Sequence, residues 1–167
     1  EEMGAQELLL SGQVHRTTNL AAVLLVAAAT NAILAIGIGA GMVAIADGEW
    51  STESAWLYGA AFGMFGFVWA AIAAFAAQLF ENTRSVTGMV ASLIGASFVV
   101  RGIGDFMGTK NAEGLLEPTW VSSLSPFGWL QATRGLTVPD WWPLLVPMLC
   151  SVGLIALAVA VQARRDV

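Results

Sequence analysis

Long runs without a charged residue constrain this chain more than any other feature. Residues 17–46, 54–80 and 141–163 contain no Asp, Glu, Lys or Arg. A helix needs roughly 20 apolar residues to cross the hydrocarbon layer of a bilayer, so each of these runs is long enough to span a membrane. The apolar residues fill whole blocks instead of following one face, which is typical of membrane proteins. We therefore predict an all-α membrane protein.

A fourth uncharged run, residues 85–100, is shorter and ends at Arg101. It spans if Arg101 extends toward the headgroups, or if the helix continues into a wet, protein-lined region. Counting this run, the predicted transmembrane helices are residues 19–46, 55–80, 86–104 and 141–163. Residues 105–140 then form an outer segment before the last helix.

Basic residues predict the orientation. Four of them lie close to the helices on the side that carries both termini: Arg16, Arg84, Arg164 and Arg165. Three others are spread along the opposite side: Arg101, Lys110 and Arg134. Because basic residues close to membrane helices favour the cytoplasm, we predict the orientation of a multi-pass membrane protein from them. Both termini would be cytoplasmic and residues 105–140 extracellular.

Charge and composition exclude several classes of function. The net charge is −5 and no basic stripe is present, so nucleic acid is not expected as a partner. Cys150 is the single cysteine, which excludes a disulfide or zinc framework within the chain. His15 has no nearby cysteine or carboxylate pair, and residues 104–110 lack the spacing of a phosphate loop. We expect no catalytic residue, metal ligand or cofactor in this chain.

The outer segment combines tryptophans with prolines. Tryptophan prefers the headgroup layer, and a proline every few residues prevents one continuous helix. The sequence therefore predicts short helices that lie at the outer interface or dip into it. The residues that indicate this are Trp120, Phe127, Trp129, Trp141 and Trp142, with Pro118, Pro126, Pro139 and Pro143.

Small residues recur at the spacing used for close helix packing. The pairs are Gly37 with Gly41, Gly59 with Gly63, and Gly88 with Ser92. Packing within the chain is the preferred interpretation, and a dedicated subunit interface is the alternative. Asn31 and Gln78 would either join helices or face a pore.

Arg101 and Asp105 stand four residues apart and form a candidate ion pair on a continued helix. Such a charged pair at the end of a span could have a functional role, or Arg101 could simply anchor the helix at the interface.

Residues 1–16 resemble a cytoplasmic amphipathic helix. Glu1, Glu2 and Glu7 flank the block Leu8, Leu9 and Leu10, and Ser11-Gly12 precedes Arg16. A helix of this kind lies on the membrane surface before a span, and a plain interfacial anchor is the simplest interpretation. Because the chain starts inside this element, we expect it to be part of a larger subunit.

These features resemble the permease of type-2 ABC exporters. In that family an inner loop reads as acidic residues, Gly, then Glu-Leu-Leu-Leu and a Pro-Val-Ser-Arg-like end. Residues 1–16 match this pattern, with Gln13 in place of proline and His15 in place of serine. The motifs Leu-Ser-Pro-Phe-Gly-Trp at 124–129 and Trp-Trp-Pro at 141–143 are similar to the outer re-entrant segment of actinobacterial polyketide-antibiotic (tetronasin-type) exporters.

The resemblance implies a location in the plasma membrane of a bacterium and a set of roles for the parts of the chain. The four spans would be the third to sixth helices of a six-helix half, completed by a second half or copy. ATP-Mg would bind to a separate ABC ATPase subunit, on which the inner helix docks through Glu2, Glu7, Leu8, Leu9 and Arg16. The cargo would be a hydrophobic antibiotic, drug or lipid-like compound. The outer segment would line or gate the exit through Pro126, Phe127, Trp129, Trp141 and Trp142.

Two other functions are alternatives. A membrane scaffold or assembly protein that does not transport would suit glycine-rich spans equally, and co-purification with an ATPase would distinguish the two. A proton-coupled transporter is disfavoured because the predicted helices contain no Asp or Glu for a proton relay.

Overall fold

Five α-helices and two short 3₁₀ helices make up most of the computed structural model, which describes residues 16–110, 116–117, 119–136 and 138–165. The long helices are α1 (Arg16–Ala44), α2 (Thr52–Leu79), α3 (Thr83–Phe106) and α5 (Leu145–Arg165), and α4 (Pro126–Ala132) is short. The 3₁₀ helices are Ser122–Leu124 and Trp142–Leu144, and a two-residue antiparallel pairing joins β1 (Thr109–Lys110) to β2 (Leu116–Glu117).

Four of these helices are long and apolar enough to cross a membrane. This architecture confirms the predicted all-α membrane fold. The shortest predicted span is part of a helix that continues past Arg101 to Phe106. The predicted helix at residues 1–16 lies almost wholly outside the described residues, which begin at Arg16, so its conformation stays a prediction.

Side-chain caps begin two of the long helices. The Ser51 hydroxyl accepts a hydrogen bond from the Ser54 N–H at 3.0 Å and begins α2. The Asn82 amide oxygen accepts from the Ser85 N–H at 2.8 Å and begins α3. Each cap satisfies an N–H that the helix itself leaves unpaired, so both helices start directly after a short polar residue.

Helix α2 is the centre of the bundle. It holds most of the buried apolar residues, among them Leu57 and Val68, and packs between α1 and α5. Leu20 of α1, Ala74 of α2 and Ala158 of α5 form a buried cluster near the start of α1 and the end of α5. Helix α3 is peripheral by comparison, and Gly104 is its buried residue.

The α1–α2 contact depends on small side chains. A Cβ added at Gly63 would lie 2.7 Å from both the Ala35 Cβ and the Asn31 carbonyl oxygen, and one at Gly59 would meet the Ala35 carbonyl oxygen. The predicted packing role is therefore confirmed for Gly59 and Gly63. It is wrong for Gly37, Gly41 and Gly88, where nothing in the described chain lies within 4 Å of an added Cβ.

Two connections lie at the same end of the bundle, which we call the loop end: residues 45–51 and the described parts of 107–144. The indole N–H of Trp141 donates to the Glu53 carboxylate at 3.0 Å and joins the start of α2 to the chain before α5. In the first connection Asp47 (φ 41°) and Gly48 (φ 85°) make a left-handed turn.

Candidate functional site

Part of the long connection turns back into the bundle. We call residues 119–136 the inward-turned segment; it contains the first 3₁₀ helix and α4. Its Phe127 ring reaches Phe65 of α2. Because a helix rises 1.5 Å per residue, Phe65 lies about 20 Å along α2 from the loop end. The segment therefore reaches well into the depth of the long helices.

Phe127 is at the centre of an aromatic cluster. Its ring centroid lies 4.9 Å from that of Phe65, 6.3 Å from Trp69 and 5.8 Å from Phe98. The rings are tilted or edge-on, which are the favoured geometries for aromatic pairs. Because the partners belong to α2 and α3, one side chain of the inward-turned segment joins the two helices.

Ser125 provides the polar counterpart of this contact. It is completely buried, and its hydroxyl donates to the Ser97 carbonyl oxygen of α3 at 2.7 Å and accepts from the Phe127 N–H at 3.2 Å. Irregular backbone at membrane depth is tolerated only where protein satisfies its polar groups or water reaches it. Ser125 meets that condition at the point where the chain reverses into α4.

Two glycines allow the chain to pass this closely. A Cβ at Gly104 of α3 would lie 2.5 Å from the Ser122 nitrogen, and a Cβ at Gly128 would meet the Ser122 carbonyl oxygen. Gly128 is part of the Pro-Phe-Gly-Trp motif. Glycine is needed at this position for steric reasons, because any side chain there would push the 3₁₀ helix away from α4.

The other predicted gate residues lie apart from the cluster. Pro126 is buried at the first turn of α4, and the indole N–H of Trp129 donates to the Ser123 carbonyl oxygen at 2.6 Å. Trp141 pairs with Glu53 at the loop end, and Trp142 is largely exposed. The structure therefore brings Pro126, Phe127 and Trp129 into the bundle and leaves the two later tryptophans at its end.

Arg101 and Asp105 form an ion pair near the loop end of α3. The Arg101 Nη2 lies 3.0 Å from the Asp105 Oδ2, and Nε donates to the same oxygen at 3.1 Å. The Ser122 hydroxyl lies 3.5 Å from the other carboxylate oxygen. Both charged side chains are about one-quarter exposed, so the pair is partly shielded from water.

A cavity of about 430 Å3 opens beside this pair, and we call it the loop-end cavity. Tyr58 and Phe62 of α2 form one wall, with their ring centroids 4.9 Å apart. Arg101 of α3 forms part of another wall, and Leu130, Gln131 and residues 133–136 close the remaining side. The cavity thus combines aromatic, cationic and amide groups from three parts of the fold.

A second, apolar groove of about 300 Å3 lies between α1 and α2. Its lining is mainly alanine and glycine, with Met64 and Phe67. Asn31 also lines it, and its amide nitrogen donates to the Ala27 carbonyl oxygen at 2.8 Å within α1. The Asn31 amide oxygen lies against Gly66 of α2. Asn31 is therefore a packing residue at the helix crossing and borders the groove as well.

Some predicted site residues lie outside the described residues, and some residues that the structure places at the site were not predicted from the sequence. Glu2, Glu7, Leu8 and Leu9 lie outside the described residues. Arg16 is described only as the first residue of α1. Sequence reasoning missed Ser125 and its partner Ser97, because the acceptor is a backbone carbonyl. It also missed the amide of Gln162, whose buried oxygen has no hydrogen-bond partner among the described residues.

Metal chemistry has no support in the described part of the chain, where no group of three His, Cys, Asp or Glu residues could hold an ion. The groups that remain for function are the aromatic cluster, the ion pair and the two cavities. Such groups can bind and guide a molecule, and those described contain no nucleophile paired with a base.

Two comparisons relate the chain to known proteins. A family described as "Multidrug efflux system permease Rv1217c, C-terminal domain" matches residues 1–161. The multidrug efflux system permease protein Rv1217c of Mycobacterium tuberculosis (strain ATCC 25618 / H37Rv) is 34% identical over 171 residues, covering all of this chain and 28% of that protein. The chain therefore spans less than a third of the length of this curated relative.

Proposed function

The chain belongs to the family of multidrug efflux permease C-terminal domains, and from this membership we propose that it is the membrane-spanning part of an ATP-driven ABC exporter. The exporter moves hydrophobic compounds, such as antibiotics, drugs or lipid-like molecules, out of a bacterial cell. The family match over residues 1–161 is the observation that carries the proposal.

The interior of the bundle supports an apolar cargo. The inward-turned segment presents Phe127 to Phe65, Trp69 and Phe98 at membrane depth. Aromatic and small apolar side chains offer contact area without desolvating charge, which suits a compound that itself carries few charges. In this proposal the inward-turned segment lines or gates the exit, because it enters the bundle from the loop end.

The energy source in this proposal is a separate ATPase subunit that binds ATP-Mg. The inner helix at residues 1–16 docks on that subunit through Glu2, Glu7, Leu8, Leu9 and Arg16. A second permease half or copy completes the pathway. Dimerisation of the ATPase moves the inner helix, and the packed spans rearrange as rigid bodies to open outward.

Transport by the full-length permease together with its ATPase tests the proposal. Both proteins are reconstituted into vesicles, and the uptake of ethidium, a lipophilic aromatic cation, is followed by fluorescence after ATP is added. We expect uptake that requires ATP and is absent with an ATPase variant unable to hydrolyse it. Equal dye movement with both ATPases would contradict the proposal.

A scaffold without transport activity is the alternative. It predicts that the permease purifies without an ATPase and that the dye does not move in either preparation. Co-purification with an ATPase whose hydrolysis the dye stimulates favours the exporter.

A further inference from the structure

We propose that the loop-end cavity is a binding site for amphipathic anions, in which an apolar or aromatic body lies against Tyr58 and Phe62 and an acidic group meets Arg101 and Arg134. This inference rests on the proposed function, because it names a substrate class for the exit side of the exporter. A cavity of about 430 Å3 falls within the usual range of small-molecule sites.

The charge of the lining points to an acidic ligand. Two arginines line the cavity, and none of the described residues that line it is Asp or Glu. The chain as a whole carries a net charge of −5, and Asp47, Glu49 and Glu53 are exposed near the same end. The two arginines therefore form a local cationic surface within an acidic part of the molecule, and guanidinium groups match carboxylates in geometry.

Each arginine has a carboxylate partner outside the cavity. Asp105 contacts Nε and Nη2 of Arg101, and the Glu117 carboxylate lies 4.0 Å from the Arg134 guanidinium. Neither carboxylate lines the cavity. This arrangement orients the two cations, and the carboxylates offset part of their charge, so an anion binds with moderate affinity and can leave again, as transport requires.

The backbone at Arg134 supports a role for its side chain. Arg134 has a φ of 45° directly after α4, a left-handed conformation that glycine adopts without steric cost at this position of a helix end. The surrounding structure fixes it: the Arg134 N–H donates to the Gln131 carbonyl oxygen at 3.0 Å, and Gly135 packs on the Tyr58 backbone. An unfavourable conformation kept in place by its neighbours is typical of functional positions.

Arg134→Gly separates a binding role from a structural one. Glycine relieves the left-handed strain, and the exposed pair with Glu117 contributes little to stability. We expect the melting temperature of the full-length permease to stay unchanged or to rise, while anion binding weakens. A lowered melting temperature with unchanged binding would assign Arg134 to the fold alone and overturn the proposal.

Binding is measured on the full-length permease in phosphatidylcholine nanodiscs without ATPase. The probe is dansyl-labelled undecanoic acid, followed by energy transfer from the protein's tryptophans, and its methyl ester is the neutral match. We expect the acid to bind more tightly than the ester, and Arg134→Gly to weaken the acid roughly tenfold with no effect on the ester. Absence of binding, or equal loss for acid and ester, would overturn the proposal.

Two further comparisons complete the test. The double variant Arg101→Gln with Asp105→Asn removes the second cation without leaving an unpaired carboxylate, and should weaken the acid selectively as well. Arg84→Gln, at the opposite end of α3, is the matched control and should change nothing. An effect of Arg84→Gln equal to that of Arg134→Gly would overturn the site assignment.

An anionic lipid headgroup offers the same chemistry as an acidic cargo. If phosphatidylglycerol in the nanodisc displaces the acid, the cavity binds lipid, and the assignment to cargo is wrong. Retention of the acid in phosphatidylglycerol nanodiscs supports it. Because the binding assay uses no ATP, it can succeed where ATP-dependent transport fails, so the two proposals fail separately.

Discussion

Ser125 is the residue at which the inward-turned segment is fastened to the rest of the bundle. Its hydroxyl donates to a carbonyl of α3 and accepts from the first turn of α4. Both partners are backbone groups, so no other side chain in the sequence marks the contact. Within the depth of the membrane such a bond is valuable mainly because its loss would leave buried polar groups unpaired.

Replacing Ser125 with alanine should destabilise the permease. The variant loses the bond to Ser97 and the helix cap of α4, which together contribute about 1–3 kcal/mol. Thermal unfolding of the full-length protein in detergent, followed by tryptophan fluorescence, measures the change. Ser123→Ala is the matched control, because Ser123 is exposed in the same segment. Equal melting temperatures for the two variants would contradict the role given to Ser125.

At the scale of helices, the crossing of α1 and α2 explains why this chain uses so many glycines and alanines. Lipid is as apolar as the side chains, so helices associate through close packing and not through the hydrophobic effect. Gly59 and Gly63 let the α1 backbone approach to contact distance, while Gly39 of α1 receives the Trp56 ring. Small residues on one helix thus face small residues or a flat ring on the other.

Gly63→Val should therefore separate α1 from α2. The added side chain would collide with Ala35 and the Asn31 carbonyl, and overpacking of this kind costs about 1–3 kcal/mol or more. Gly37→Val is the matched control, because its added side chain meets no described atom within 4 Å. The measurement is the yield and melting temperature of the full-length permease. A similar loss in both variants would show that helix propensity, and not packing, decides the outcome.

Sequence reasoning reached the helices more readily than their contacts. Uncharged runs identify a spanning helix because the hydrocarbon excludes charge, and this rule needs no knowledge of the neighbours. Gly59 of α2 and Gly37 of α1 belong to equally good small-residue pairs. In the described chain, however, Gly59 packs against α1, whereas no atom lies within 4 Å of a Cβ added at Gly37. Which face a helix turns toward its partner depends on the whole arrangement. The same reason explains why Phe127 was predicted as a gate residue but its partners Phe65, Trp69 and Phe98 were not.

At the scale of the whole molecule, both connections lie at the loop end, so one experiment can test how the protein is oriented in the membrane. Ser51 and Lys110 lie in these connections, and Trp141 bonds to Glu53 between them. Whatever the orientation, the two positions must be on the same side of the membrane. The density of basic residues at the opposite end favours an extracellular loop end.

Single cysteines at Ser51 and Lys110, placed in a Cys150→Ser background, should both react with an impermeant thiol reagent in whole cells. A cysteine at Ser85, near the other end of α3, is the control and should stay unlabelled until the cells are opened. Labelling is read as a mass shift on a gel. Labelling of Ser85 alone in intact cells would reverse the predicted orientation.

The coupling of the permease to its ATPase belongs to the same scale. Surface helices that bind membranes usually carry Lys and Arg toward anionic lipids, whereas Glu2 and Glu7 are acidic. A protein partner with basic or apolar sites explains them better. Glu7→Lys in the full-length permease should therefore weaken pull-down of the ATPase, with membrane insertion unchanged, and abolish substrate-stimulated ATP hydrolysis. Unchanged pull-down and hydrolysis would favour the scaffold interpretation.

The central place of α2 has a consequence for how the protein is made. Leu20 of α1 and Ala158 of α5 meet Ala74 of α2 in one cluster, but the ribosome completes α5 after α1 to α4. At about 5–20 residues per second, several seconds pass between the synthesis of α2 and that of α5. The inward-turned segment emerges earlier, and its contacts Phe65, Trp69 and Phe98 are already in place by then. Assembly in the order of translation therefore folds the segment against α2 and α3 before α5 packs against α2.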